Sequence, residues 1–240
     1  MTERLAFLMN LHELNALAAA RGLVSGGGRP LRFVAPPDDG VNYELRIRDS
    51  GAVATRPGST HDLLNARAWL DFPQAKAALN RRHCEELEQH PGAQRSRLRD
   101  ALTLFDESGM VVLCADPALA LLLRNFQWKE LFWGQRAAVR RSMRFLVFGH
   151  ALAEKLLAPF KGITARALIL VAGVDRVDAE GARQLAFADA QAAAWLARPD
   201  ALVSTRELAP LPVLGIPGWT PDNENPAYYD DTTQFRTGRR

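Results

Sequence analysis

Apolar residues recur at helical spacing in several parts of the chain. In residues 2–21, leucines at positions 5, 8, 11, 14 and 17 form one stripe, which a glycine at position 22 would end. Similar patterns predict long helices over residues 73–89 and 178–198. Asp116 followed by Pro117 is typical of a helix start, so a shorter helix is predicted from there to about residue 125.

Shorter apolar runs between these segments predict β-strands. Two of them meet a second run across an acidic, glycine-containing turn: residues 43–47 with 52–55, and residues 101–105 with 110–115. That arrangement is typical of β-hairpins. Further strands are predicted at 31–34, 145–148 and 164–172. We therefore predict a helix-rich α+β fold, a single domain whose strands pair mostly antiparallel.

Glycine and proline suggest how residues 1–240 are organised within that one domain. Residues 1–28 are interpreted as an N-terminal helix and a flexible glycine-rich linker, and residues 29–209 as the α+β body. Residues 210–240 are predicted to be an extended segment packed on the body. Four prolines between positions 210 and 221 argue against regular secondary structure there, and the aromatic residues that follow favour contact with the core.

Composition narrows the class of protein only moderately. The formal net charge is +3, which permits an anionic ligand or nucleic acid without requiring one. Two cysteines without a CxxC motif favour a reducing, cytoplasmic compartment. We see neither a signal-peptide pattern nor a run of about 18 apolar residues, so no membrane partner is expected.

The densest group of chemically useful side chains lies in residues 55–73, TRPGSTHDLLNARAWLDFP. A Pro-Gly turn precedes a helix that Ser59 or Thr60 would cap. His61 and Asn65 would then share one face, and Asp62 would lie in the first turn, where the helix dipole favours a carboxylate. The dipole disfavours a charged imidazole at the same place, so a neutral His61 is expected. Simple capping by these residues is the alternative.

A second informative stretch is residues 144–159, RFLVFGHALAEKLLAP. His150 follows a predicted strand at a helix start, and Glu154 lies four residues further on, on the same face. Such a pair can orient a general base or, with a third ligand such as His61, bind a divalent metal ion. The alternative is that both histidines are structural. No HExxH, GxSxG or Walker motif accompanies them.

A further helix is predicted from Gln127 or Trp128 to Arg141, and the arginine-rich segment 128–144 combines basic and aromatic side chains. Arg136, Arg140 and Arg144 are spaced by four, and Trp128 and Phe132 lie on the same segment. Arginine on phosphates and rings on bases would suit RNA. A solvated arginine face over an aromatic core face has the same pattern, so this surface is the basis of an alternative function.

Several of these motifs together resemble a bacterial family catalogued as domain of unknown function 3025. The resemblance covers the chain from about Leu31 onward and depends on four segments in particular. They are HDxxNAxxWLxFP from residue 61, LFDE from 104, FGHALxEKL from 148 and PVLGxPGW from 212. The resemblance implies no activity, but it groups the polar clusters into one pattern.

The sequence thus favours an enzyme that performs acid–base catalysis or metal-assisted hydrolysis on a small anionic substrate. The predicted catalytic residues are His61, Asp62, Asn65, His150 and Glu154. The predicted substrate-binding residues are Arg56, Asp106, Glu107, Trp219 and Glu224. The predicted ligands of a divalent metal are His61, His150 and Glu154. Turn chemistry alone is the alternative for Asp106 and Glu107, and a non-catalytic RNA- or protein-binding module is the alternative for the whole protein.

Overall fold

The computed structural model describes residues 9–91 and 96–238. Its first α-helices are α1 (Leu11–Ala20), α2 (Tyr43–Ser50), α3 (Thr60–Asp71), α4 (Pro73–Gln89) and α5 (Arg97–Ser108). They are followed by α6 (Pro117–Arg124), α7 (Arg136–Ser142), α8 (His150–Lys155), α9 (Val174–Val177) and α10 (Gly181–Leu196). The strands are β1 (Arg32–Val34), β2 (Ala52–Ala54), β3 (Gly109–Cys114), β4 (Met143–Val147), β5 (Thr164–Val171) and β6 (Ala209–Pro212). The predicted α+β class of a helix-rich single domain is confirmed.

Strand β3 occupies the interior of a four-stranded sheet with the order β4-β3-β5-β6. It pairs antiparallel with β4 and parallel with β5, and β6 pairs antiparallel with β5. All six residues of β3 are buried. Strands that are covered on both faces carry continuous apolar runs, and the sequence GMVVLC fits that rule.

Three hydrophobic clusters surround this framework. One face of the sheet packs on α6, on the π-helical turn Glu130–Gly134 and on the C-terminal tail, through residues such as Phe132 and Phe235. The opposite face packs on α4, α5 and α10, with Phe105 and Phe148 stacked at its centre. A third cluster joins α1, α3 and the small parallel sheet β1–β2, and Trp69 is its largest buried side chain.

The prolines of β6 explain how a proline-rich segment forms an edge strand. The peptide N–H of Val213 donates to the carbonyl of Ile163 at 3.0 Å. Because alternate residues of a strand point their peptide groups to opposite sides, Pro210 and Pro212 then face the open edge, where the missing N–H costs nothing. The prediction that the segment from Pro210 lacks regular structure is therefore wrong for its first residues.

The first predicted hairpin, residues 43–47 with 52–55, is wrong. Tyr43–Ser50 is helix α2, and β2 pairs parallel with β1. The side chain of Asn42 accepts hydrogen bonds from the first turn of α2, and Gly51 ends the helix with a positive φ of 72°. The predicted hairpin turn is thus a helix C-terminus, where glycine is the favoured residue.

The second predicted hairpin, residues 101–105 with 110–115, is wrong in its first half. Residues 101–105 lie in helix α5, which the side chain of Ser96 caps by accepting from the N–H of Arg99. Ala101, Leu102 and Phe105 face the core at helical spacing, while β3 forms as predicted.

Other segments follow the sequence more closely, although two need correction. Helix α1 falls within the predicted residues 2–21, of which 2–8 lie outside the described residues. Ser25 is buried and the N–H of Gly26 donates to Asn80 at 3.1 Å, so the glycine-rich segment is packed rather than a free linker. The predicted helix over residues 127–141 is divided into the π-helical turn and α7. No helix in the described ranges is long and apolar enough to cross a lipid bilayer.

Candidate functional site

Two imidazole rings meet where the N-termini of α3 and α8 pack together. Ser59, one of the two predicted caps, caps α3 by accepting from the N–H of Asp62, and His61 follows in the first turn. His150 is the first residue of α8. The ring centroids of His61 and His150 lie 4.5 Å apart, with an interplanar angle of 80°. The structure therefore brings together the two predicted histidines, which are 89 positions apart in sequence.

A glycine allows this close approach. Gly149 is the N-cap of α8, and its N–H donates to the carbonyl of Gly109 at 2.9 Å. A Cβ atom at this position would lie 2.4 Å from the backbone oxygen of Glu107, closer than side-chain atoms approach one another in folded proteins. The junction between β4 and α8 can therefore contact the end of α5 only with glycine at position 149, and this contact places His150 beside Asp106.

The exposed part of the site is an imidazole–carboxylate pair. Nδ1 of His61 lies 2.8 Å from Oε2 of Glu154, and the two side chains are 41% and 42% exposed. A carboxylate can only accept, so Nδ1 carries the proton when this bond forms. Nε2 of the neutral His61 ring then holds a free lone pair, and it can accept a proton from a bound molecule.

The buried part of the site is a chain of polar groups behind His150. Nζ of Lys76 donates to Asp106 Oδ1 at 2.5 Å and to Asn65 Oδ1 at 2.9 Å. Asn65 in turn donates to the hydroxyl of Tyr43 at 2.8 Å. Oδ2 of Asp106 lies 3.8 Å from Nδ1 of His150, which has no hydrogen-bond partner within the described part of the chain. These polar groups connect α2, α3, α4, α5 and α8.

Burial and neighbouring charges set the protonation of this network. Burial lowers the pKa of His150 to about 4, against the opposing effect of Asp106, so the ring is neutral near pH 7. Burial opposes ionisation of Asp106, but Lys76 and His150 outweigh it and hold the pKa of this carboxyl below its ordinary value. Desolvation raises the pKa of Glu44, which lies beside this network, to about 7, and Asp106 adds to the effect.

Asp62, the remaining predicted catalytic residue, pairs with Arg56 rather than with either histidine. Both carboxylate oxygens of Asp62 accept from Arg56, at 2.8 and 2.9 Å, and the backbone N–H of Arg56 donates to the same carboxylate. The Arg56 hydrogen bonds lower the pKa of Asp62 to about 2 despite partial burial. Asp62 and Arg56 thus close the turn before α3, and their paired charges lie at the rim beside His61.

Two of the predicted substrate-binding residues, Trp219 and Glu224, lie apart from the imidazole pair in their contacts, whereas the backbone of a third, Glu107, lies against Gly149 beside His150. Glu107 is exposed on the last turn of α5. Glu224 pairs with Arg136 and with Arg140, and Trp219 packs against the core cluster on the other face of the sheet. The tail therefore covers the aromatic cluster around Phe132, and its hydrogen bonds join it to α7 rather than to α3 or α8.

The predicted metal site receives no support from this geometry. His61, His150 and Glu154 are neighbours, but within residues 9–91 and 96–238 no three His, Cys, Asp or Glu side chains are arranged to hold a metal ion. Glu154 instead contacts the ring nitrogen of His61 directly. A bound divalent ion stays a prediction from sequence.

Sequence reasoning missed Lys76 and Tyr43, which complete the network. Lys76 is only 4% exposed, and it lies 5.4 Å above the ring of Trp69. A signal was present, because Lys76, Asn80 and His83 recur at helical spacing on the face of α4 that also carries Leu79. Polar residues on the buried face of a helix need partners, and they mark a built polar network.

The fold and the site together define an α+β protein with a buried lysine–aspartate network that reaches the surface through a histidine–glutamate pair. The family model described as "Protein of unknown function (DUF3025)" matches residues 31–239. The chain therefore belongs to this family, in agreement with the resemblance seen in the sequence. Comparison with curated proteins found no match. Comparison with solved structures found none either.

Proposed function

We propose that the protein is an acid–base enzyme in which His61 is the general base and Glu154 orients it. The observation that carries the proposal is the 2.8 Å contact between Nδ1 of His61 and Oε2 of Glu154, on helices that are joined only by the tertiary fold. A structural ion pair would not need the free side of the ring to be open. Here both side chains are about two-fifths exposed, so the pair is open to a substrate from solvent.

The reaction class that this geometry supports best is hydrolysis. Nε2 of His61 takes a proton from a water molecule, whose oxygen forms a bond to an electrophilic carbon or phosphorus atom. The bond to the leaving group breaks, and the imidazolium returns its proton to that group. Glu154 stabilises the imidazolium between these steps, and general-base catalysis of this kind contributes roughly 10²- to 10⁴-fold.

His150 and its buried partners support the base. A second charged imidazole 4.5 Å from His61 would oppose proton uptake, and the low pKa of His150 removes that repulsion. Asp106 and Lys76 offset each other's charge, so this ion pair adds no net charge behind the rings. The helix N-termini at His61 and His150 favour an anionic substrate group, in line with the prediction from sequence.

The alternative function, binding of RNA or a protein partner through the arginines of residues 128–144, has less support. Arg136 donates to the carbonyl of Asn223 at 3.1 Å and pairs with Glu224. Arg144 pairs with Asp178 at 3.0 Å, and Trp128 is buried. Internal carboxylates thus compete with phosphates for these arginines. Cytoplasmic location is likewise a proposal, supported by two free, buried cysteines.

The test is a hydrolase screen with matched histidine variants. Wild type is assayed against p-nitrophenyl esters and phosphoesters, beside His61→Asn, Glu154→Gln and the control His90→Asn. His90, the C-cap of α4, is also paired with a glutamate, Glu86 at 3.3 Å, but the two residues are only four positions apart in sequence. We expect His61→Asn to lose at least about 100-fold in kcat/KM and Glu154→Gln about tenfold. Equal loss in His90→Asn, or activity that survives His61→Asn, would contradict the proposal.

A further inference from the structure

A second concave site lies along the edge strand β6 and is separate from the imidazole pair. It has a volume of about 790 Å³, which falls within the range of small-molecule sites. Its walls come from the segment before the π-helical turn, from β5 and β6, from the turn at Thr205–Glu207 and from the C-terminal tail. Residues that carry the inference are Phe126, Thr164, Arg166, Arg206, Gln234 and Arg236.

The lining of this groove is basic. It includes three arginines and, among described residues, no aspartate or glutamate. Neither Arg206 nor Arg236 forms an ion pair with residues 9–91 or 96–238. The neighbouring carboxylate of Glu207 is occupied, because it accepts from the N–H groups of Leu202 at 2.7 Å and Ser204 at 3.2 Å. Nε of Arg236 donates to the carbonyl of Thr233 at 3.2 Å, and the remaining N–H groups of the two guanidinium groups are available to an anion such as a phosphate.

A buried acceptor in the same groove lacks a partner. Gln234 is only 9% exposed, and its Oε1 has no hydrogen-bond partner within the described structure. Its Nε2 donates to the hydroxyl of Tyr228 at 3.4 Å, a long contact. Buried polar atoms are almost always hydrogen-bonded, so Oε1 lacks a donor, and because protein atoms cover it, a ligand can supply that donor only after the Gln234 side chain turns toward the groove. Hydroxyl and amino groups are the donors that would satisfy it.

An aromatic wall lies beside the arginines. Phe126 has a positive φ of 60°, which is uncommon outside glycine, and its half-buried ring packs edge-on against Trp128 at 5.7 Å. The indole N–H of Trp128 donates to the carbonyl of Arg236 at 2.7 Å, and this bond holds the tail against the wall. The positive φ is that of a helix C-terminal cap, because the N–H of Phe126 donates to the carbonyl of Leu123 at 3.2 Å and that of Gln127 to the carbonyl of Leu122 at 3.0 Å. The cap holds the ring at the wall, where it can stack on a planar group.

We propose that this groove binds a small phosphorylated molecule that carries a planar ring, the chemical class of the nucleotides. Arg206 and Arg236 bind the phosphate, the ring of Phe126 packs on the planar group, and Oε1 of Gln234 accepts from a donor on the ligand. This inference does not depend on the proposed hydrolase site, because it uses none of its residues.

The test is calorimetric binding of adenosine 5′-monophosphate to the full chain, with adenosine and ribose 5-phosphate as partial probes. We expect saturable binding of the nucleotide and weaker binding of each partial probe. Arg206→Gln and Arg236→Gln should each raise Kd about tenfold or more, as expected for the loss of one charge-assisted contact. The matched control Arg141→Gln removes an exposed arginine of α7 outside the groove and should leave Kd within about twofold.

Several outcomes would overturn the inference. They are the absence of saturation by the nucleotide at millimolar concentration, an equal weakening in Arg141→Gln, and equal affinities for the nucleotide and ribose 5-phosphate. Gln234→Leu, which removes the buried acceptor without charge change, should also weaken nucleotide binding, and unchanged affinity would contradict its assigned role. Circular dichroism confirms that each variant is folded. His61→Asn should bind the nucleotide as wild type does, which separates this result from the hydrolase test.

Discussion

The buried pair of Lys76 and Asp106 gives the sharpest test of how the site is held together. Their side chains are 4% and 17% exposed, and Nζ lies 2.5 Å from Oδ1. Replacing one partner leaves the other as an uncompensated buried charge. Asp106→Leu and Lys76→Met should therefore each cost about 3–5 kcal/mol of unfolding free energy.

The double variant Lys76→Met with Asp106→Leu should lose much less than the sum of the single losses. It removes both charges and leaves apolar side chains of similar length, a change that is often close to neutral in other proteins. The double-mutant cycle should thus give a coupling energy of several kcal/mol. For a chain of this size each kcal/mol shifts Tm by about 2–4 °C, so the single variants should melt about 6–20 °C lower than wild type.

The assay is urea unfolding followed by circular dichroism, with the exposed pair Arg198 and Asp200 as control. Those side chains are 58% and 71% exposed, so their cycle should give less than about 1 kcal/mol. Single losses below about 1 kcal/mol at Lys76 and Asp106, or losses that simply add, would refute the view that this pair is a buried, mutually dependent element.

Three further predictions concern pH and packing. Burial raises the pKa of Glu44 to about 7, so the stability that Glu44 contributes is present below about pH 4.5 and is lost as pH rises through 7. The unfolding free energy of Glu44→Gln should therefore gain on the order of 2 kcal/mol relative to wild type between pH 5 and 8, and a difference in urea unfolding that stays constant over this range would contradict this. Burial lowers the pKa of His150 to about 4, so the stability that His150 contributes is present above about pH 6.5 and is lost as pH falls through 4. In His150→Gln the unfolding free energy should fall less steeply with decreasing pH than in wild type, whereas an unchanged slope would argue against burial. Gly149→Ala should cost about 1–3 kcal/mol because its Cβ meets the Glu107 oxygen, while Gly238→Ala, with open space around it, should cost little in thermal melts.

Local signals in the sequence were sufficient for the parts of the site that lie on well-marked helices. Ser59 and the Phe72–Pro73 junction fix both ends of α3, so the shared face of His61 and Asn65 followed directly. His150 and Glu154 were likewise placed on one helix by their spacing. The contact between Glu154 and His61 could not be predicted, because it depends on how α3 and α8 pack.

The sequence was less informative where a short segment satisfied two periodicities. Residues 43–47 alternate apolar and polar side chains like a strand, yet Asn42 and Gly51 provide the caps of α2. Reading that segment and α5 as strands hid the fact that Tyr43 projects from a helix toward Asn65, and Asp106 from another toward Lys76. The parallel pairing of β3 with β5 is a tertiary result, since β3 carries the same apolar run in either orientation.

The most direct test of the proposed acid–base site measures the reactivity of His61 itself, without knowledge of the substrate. Diethyl pyrocarbonate acylates accessible, nucleophilic imidazoles, and mass spectrometry of the peptides gives a rate for each histidine. We predict that His61 reacts faster than His12 and His90, which are also exposed, while buried His150 reacts slowly. Glu154→Gln should lower the His61 rate, because the ring loses the carboxylate that stabilises its cationic form, and leave the His90 rate unchanged. A His61 rate no higher than those of the other exposed histidines, and insensitive to Glu154→Gln, would contradict the proposed site.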